Sequence, residues 1–209
     1  MARRYKRTRP ELKRQRDLLR RFERYLPMLK LKQQLLQLKL LEVRRELRGA
    51  EARLREARAR IDPYRPLLDQ PAGVDLKALG RPQRVETRPV NVAGVTVPVL
   101  QQVIFGAGRY SLFGTPGWVE RSLEDLRQVS RRECEAANLE EQGRVLAFEV
   151  ARIVQRVNLF EKVMMPQTRD AIRVIRIQLG DEMTAAVGRA KMAKAKLLDQ
   201  EHSVEADAP

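Results

Sequence analysis

The sequence predicts a mainly α protein: a long antiparallel two-helix coiled coil formed by the N- and C-terminal helices, with a small middle region containing a β-hairpin. Three observations predict it. An apolar repeat with alternating three- and four-residue steps fills the first sixty residues. A second such repeat runs from Leu146 toward the C-terminus. Between them lies a stretch of different texture, rich in proline, glycine and valine. The boundaries that follow are 1–62 for the first helix, 63–117 for the middle region, 118–199 for the last helix and 200–209 for a disordered tail.

The first repeat reads Leu12, Gln15, Leu19, Phe22, Leu26, Leu29, Gln33, Leu36, Leu40, Val43, Leu47, Ala50, Leu54, Ala57 and Ile61, and thirteen of its fifteen positions are apolar. Such spacing keeps one stripe facing a partner helix over the whole span. At 1.5 Å per residue the helix is about 75 Å long, too long to stand alone. Thr8 is placed to cap its start, with Pro10 and Glu11 in the first turn. Pro27 removes one backbone hydrogen bond and bends the helix without ending it, because the seam continues in phase beyond it. A second apolar stripe (Met28, Leu31, Leu35, Leu38) lies away from the seam. A helix apolar on two faces is covered on both, either by the chain's own middle region or by a partner.

Asp62, Pro63 and Pro66 stop the helix, and seven of the eleven prolines fall between residues 63 and 117. Residues 84–105 form two valine-rich runs joined through Ala93-Gly94, the pattern of a β-hairpin. Pro89 and Pro98 within it belong at exposed edges or bulges. Gly106-Ala107-Gly108 lacks a following Lys-Ser/Thr pair, so it is not a phosphate loop.

The closing helix is expected from Trp118 to about Leu198. Leu146, Val150, Ile153, Val157, Phe160 and Met164 carry its seam. Beyond Pro166 the apolar line is Ile172, Ile175, Leu179, Met183, Ala186, Ala190, Ala193 and Leu197. Gly143, Pro166, Gly180 and Gly188 are candidate bends.

The chain has 209 residues and a formal charge of +15. Residues 1–60 hold 21 Lys/Arg against 7 Asp/Glu, or +14, which leaves +1 for the remainder. A basic rod admits nucleic acid as a partner, but no aromatic interleaving or zinc spacing accompanies these charges. An acidic protein surface is the alternative. The single cysteine, Cys134, forbids an intrachain disulfide and points to a reducing compartment. No apolar run reaches the roughly 18 residues that cross a bilayer. The lone histidine, His202, excludes a histidine-based triad or metal cluster. No catalytic residue, cofactor or metal ligand is expected.

Several segments resemble one family. Arg156-Val157-Asn158-Leu159-Phe160-Glu161-Lys162-Val163-Met164-Met165-Pro166 is similar to a segment of the D subunit of V-type and archaeal-type ATPases and ATP synthases. Tyr25-Leu26-Pro27-Met28-Leu29-Lys30-Leu31-Lys32 resembles a bacterial branch of that family. So do Val92-Ala93-Gly94-Val95, Tyr110-Ser111-Leu112-Phe113-Gly114-Thr115-Pro116 and Val187-Gly188-Arg189-Ala190-Lys191-Met192-Ala193-Lys194. The chain departs from the pattern at Gly49, in the arginine-rich helix around it, and in its acidic tail.

The resemblance implies a rotor shaft without chemistry of its own. Its partners would be the catalytic A and regulatory B subunits, the stalk's F subunit and the funnel-shaped cap subunit (C/d) of the membrane ring. Its place would be cytoplasmic, peripheral to the cell membrane and not inserted in it, with no nucleic acid bound. The expected seam is Leu19, Phe22, Leu26, Leu29, Leu36, Leu40, Val43, Leu47, Val150, Ile153, Val157 and Phe160. Partner contacts are expected at Met28, Leu31, Leu35, Leu38, Arg44, Arg48, Arg55, Arg156 and Asn158. A structural coiled-coil adaptor and a basic nucleic-acid-binding rod are the competing readings.

Overall fold

The computed structural model describes the backbone of residues 6–69, 73–108, 110 and 114–206, and the side chains of all of these except 69 and 197–206. Expectations placed on residues 1–5, Pro71, residues 111–113, the side chain of Leu197 and residues 207–209 lie outside the described residues. The elements in order are α1 (Arg9–Ile61), a 3-10 turn (Asp62–Asp69), α2 (Leu76–Gly80), β1 (Pro82–Val92) and β2 (Val95–Phe105). Then come α3 (Trp118–Leu159), a π turn (Phe160–Met164) and α4 (Met165–Ala206). The fold is two long helical arms with a two-stranded antiparallel hairpin between them in sequence.

The chain divides into two compact units. One comprises Met1–Lys30 with Gln155–Pro209, the other Leu31–Val154.

In the first unit, α1 opens with the Leu12 amide donating to the Thr8 carbonyl at 3.0 Å. Pro10 sits in the first turn, where a missing N–H costs nothing. The two helical segments run antiparallel, as three contacts show. Lys30 meets Glu161 at 2.9 Å, Arg169 meets Glu23 at 3.3 Å, and Arg7 donates to Gln178 at 2.8 Å. Phe22 packs on Phe160 with ring centroids 5.1 Å apart. Val157, Met165, Thr168, Ala171 and Ile175 are buried along the pair.

The C-terminal helix, expected from Trp118 to about Leu198 with Pro166 among its candidate bends, is interrupted just before that proline. From Phe160 to Thr168 the seam takes eight residues where the three-four pattern allots seven, and the π turn absorbs the extra one. Its defining bond runs from the Met165 amide to the Phe160 carbonyl. Pro166 explains the location: in a regular α turn its ring would crowd the Lys162 carbonyl, which it cannot satisfy.

The line Met183, Ala186, Ala190 and Ala193 is exposed, because no described α1 residue lies beyond the Arg7–Gln178 contact to cover it. Helix α4 extends through Ala206. Its residues from 200 on include Glu201, Glu205 and Ala206 and no glycine or proline, so nothing breaks it earlier.

In the second unit, α1 and α3 pair through Leu36, Leu40, Val43, Ala50, Leu146 and Ile153, all buried. Fully burying one of the leucine, valine or isoleucine side chains contributes about 1.5–3 kcal/mol. The arms are cross-linked by Arg53–Glu135 at 2.7 Å and Arg58–Glu133 at 2.6 Å. A small core of Leu76, Val119 and Leu123, flanked by Leu68, Leu79, Tyr110, Trp118 and Leu126, anchors the start of α3. The Tyr64 hydroxyl donates to the Asp125 carboxylate beside it. Burial first, and that bond second, push the tyrosine well above its ordinary pKa of 10.0.

The hairpin starts two residues earlier than the alternation indicated, at Pro82. Its turn residues Ala93 and Gly94 both have positive φ, 50° and 79°. That is the type I′ geometry whose twist matches the strands. The register shifts between Glu86 and Thr87, where Gln102 and Leu100 are the successive partners, so Gln101 is an extra residue.

Candidate partner interface

Helix α3 holds the hairpin and the end of α2 by side chains that sequence periodicity does not reveal. Asn138 accepts from the Leu100 amide at 3.1 Å, beside the bulge, and from Gln142 Nε2 at 2.8 Å. Arg127 donates to the Leu79 and Gly106 carbonyls at 3.2 and 2.9 Å. Ser130 donates to the Gly80 carbonyl at 2.7 Å. Arg127 and Arg131 lie over the Phe105 ring, 5.5 and 5.2 Å from its centroid. The bonds to Leu100, Leu79, Gly106 and Gly80 each satisfy a backbone group at a bulge, a helix end or a chain corner. A groove of about 880 Å³ remains between the hairpin and the helices, lined among others by Val90, Val99, Arg45 and Arg53.

The expected seam residues divide by burial. Leu36, Leu40, Val43, Ile153 and Val157 are buried; Leu19, Phe22, Leu26, Leu29, Leu47, Val150 and Phe160 are half-buried. The second stripe behaves differently. In the second unit Leu31, Leu35 and Leu38 are exposed, and Leu41, which the stripe did not include, extends the same surface. Leu38 is 64% exposed. Met28, in the first unit, is likewise exposed. Among the described residues nothing buries the stripe, and exposed apolar rows of this kind are where a partner would be sought.

Among the expected charged contacts, Arg44, Arg48, Arg55 and Arg156 are exposed, and none has an ion-pair partner among the described residues. This separates them from Arg53 and Arg58, which are used to tie the helices together. Asn158 is half-buried. The exposed Phe148, with Arg152 over its ring at 5.8 Å, has no counterpart among the expected contacts. Its seam-breaking position, between Leu146 and Val150, was the available signal.

No group of three or more His, Cys, Asp or Glu side chains among the described residues is placed to hold a metal ion. Burial and the neighbouring Glu133 push the Cys134 thiol up, away from thiolate. Among the described residues no helix is long and apolar enough to cross a membrane.

Comparison with known proteins gives a consistent picture. A sequence model of the ATP synthase D-subunit family matches residues 11–195. The V-type ATP synthase D subunit of Borreliella burgdorferi is 33% identical over 191 residues, covering 91% of this chain and 94% of the relative. The protein of the same name from Chlamydia abortus is 34% identical over 188 residues, 90% of each chain. That of Chlamydia trachomatis serovar L2 is 34% identical over 179 residues, 85% of this chain and 87% of the relative.

Proposed function

The chain belongs to the ATP synthase D-subunit family, and on that premise we propose that it is the central-stalk rotor shaft of a V-type ATP synthase or ATPase. In this role it transmits torque between the ring of catalytic A and regulatory B subunits and the ion-translocating ring of the membrane. ATP synthesis or hydrolysis is thereby coupled to proton or sodium transport. The shaft is non-catalytic, and nucleotide sites belong to its partners. It works in the cytoplasm, peripheral to the cell membrane.

The observation that carries this reading is the cross-braced antiparallel helix pair, present in each unit, in a chain that matches the family over nearly its whole length. Two helices joined by a packed seam and by Arg53–Glu135 and Arg58–Glu133 resist twisting, because each layer must shear against its neighbour. Coupling then arises from differences in contact energy between rotary positions, not from bonds made or broken in the shaft.

The exposed features sort onto partners by chemistry. The leucine face from Leu31 to Leu41 takes an apolar helix, and the stalk's F subunit is its occupant. The unpaired Arg44, Arg48 and Arg55 meet acidic loops lining the A/B ring, where contacts are exchanged during rotation. The funnel-shaped cap subunit (C/d) receives the end of the stalk that faces the membrane ring.

The test is reconstitution with the A, B and F subunits. The triple replacement Arg44→Glu, Arg48→Glu and Arg55→Glu is expected to lower ATP-driven turnover or its coupling to ion transport while the helical circular-dichroism signal stays. Unchanged coupling counts against the arginine assignment. Co-purification from the native source with nucleic acid, and without A and B subunits, reverses the reading as a whole.

A further inference from the structure

Both helices of the first unit carry a backbone defect, and the defects lie side by side. On α1, Pro27 lacks the N–H that would bond the Glu23 carbonyl, and its ring crowds that oxygen. On the opposite helix Pro166 has no N–H to offer the Lys162 carbonyl, and it comes immediately after the π turn Phe160–Met164. Thr168 adds a third local change, its hydroxyl donating to the Met164 carbonyl at 2.7 Å in the i−4 geometry that bends helices. Three contacts fix the alignment: Phe22 on Phe160, Lys30 to Glu161 and Arg169 to Glu23. Residues 22–30 therefore face residues 160–169.

Coincidence matters mechanically. A weak point in one helix of a packed pair is splinted by an intact neighbour, since bending there would have to stretch or compress the partner's hydrogen-bond ladder. When both ladders are interrupted at one level, neither splints the other. The adjoining stretch of the same unit has no such weakness: residues 12–21 and 170–179 contain neither proline nor glycine.

We propose that the layer joining Pro27 to the π turn and Pro166 is a built-in flexure of the helix pair. The flexure is a property of the chain itself and stands whether or not the chain turns in a ring. Its use, on the rotor reading, is to confine lateral bending to one level while the adjoining seam layers of the same unit, at 15–19 and 171–175, move as one rigid piece.

Amide hydrogen exchange on the full chain tests it. In the native sequence, amides at 22–30 and 160–169 are expected to exchange about tenfold faster than those of the adjoining layers at 15–19 and 171–175. The decisive variant is Pro27→Ala, which introduces a good helix former at an exposed position and keeps the pair folded, as helical circular dichroism verifies. Restoring one ladder restores the splint, so amides 160–169 on the other helix should slow by about tenfold as well. Pro166→Ala should act reciprocally on 22–30. Uniform protection in the native chain overturns the proposal. So does a response confined to the helix that carries the replacement, which is what two independent local defects would give.

Discussion

Pro89 and Pro98 stand directly opposite one another across the β1–β2 hairpin. The pairing is dictated by parity. In a two-residue hairpin the closing pair, here Val92–Val95, is hydrogen-bonded, and bonded and non-bonded pairs alternate from it. Val90–Val97 is then bonded, and Pro89–Pro98 falls at a non-bonded pair, where backbone nitrogens point away from the partner strand. Neither proline costs a ladder bond, and each blocks the outer edge of its own strand.

The double replacement Pro89→Thr and Pro98→Thr should therefore change stability by no more than about 0.5 kcal/mol. It should also open both edges to pairing with another copy. Sedimentation velocity across a concentration series reads this directly, the native chain remaining unassociated through its hairpin and the variant associating. A large loss of stability without association would contradict the edge-blocking role.

Ala93 adopts φ +50° at the first turn position, a conformation that costs an L-residue with a Cβ about 1–2 kcal/mol. The Ala93→Asn variant supplies Asn-Gly, the preferred type I′ pair, and should raise stability by about 0.5–1 kcal/mol. Ala93→Val should lower it, since a β-branched residue fits this region worst. Denaturant midpoints of the three chains are expected in the order Asn, Ala, Val.

Local spacing made the helical arms and the hairpin legible, because burial on one face imposes its period on the sequence. Leu36, Leu40 and Val43 are spaced for a seam and are buried in one. The π turn was less visible. Met164 and Met165 are both apolar, so the seam can be traced through either and the extra residue before Thr168 goes unnoticed. Contacts distant in sequence left no local trace: nothing around Asn138 announces that it holds the Leu100 amide 38 positions away. The exposure of Met183 to Ala193 was hidden for a related reason, since apolar spacing records that a face needs cover but not whether the same chain reaches it.

Two leucines of the second unit separate folding from recognition. Leu146 is 0% exposed and Leu38 is 64% exposed. Leu146→Ala removes buried methyl groups and leaves a cavity, so it should cost about 2–5 kcal/mol in urea unfolding. Leu38→Ala should change stability by less than about 0.5 kcal/mol, yet weaken retention of the stalk's F subunit in a pull-down. A destabilising Leu38→Ala would mean that the chain itself covers this face.

Glu135 joins the helices electrostatically and gives the second unit an acid-sensitive brace. Burial raises its carboxyl pKa, but hydrogen bonds from Arg132 and Arg53 and their charges outweigh burial and leave it below the ordinary 4.5. A carboxylate depressed in the folded chain binds fewer protons than in the unfolded chain. Its stabilising contribution is thus fully present above the unfolded pKa and disappears as pH falls through the folded one. The Glu135→Gln variant lacks this contribution at neutral pH, so it should unfold at lower urea concentration there. Below pH 4.5 the two chains should converge as the native carboxylate takes up its proton. Arg53→Gln removes only one of the two donors and should shift the native chain's acid limb upward in pH without abolishing it. A gap between Glu135→Gln and the native chain that stays constant through the acid range would show that Glu135 acts by packing, not by charge.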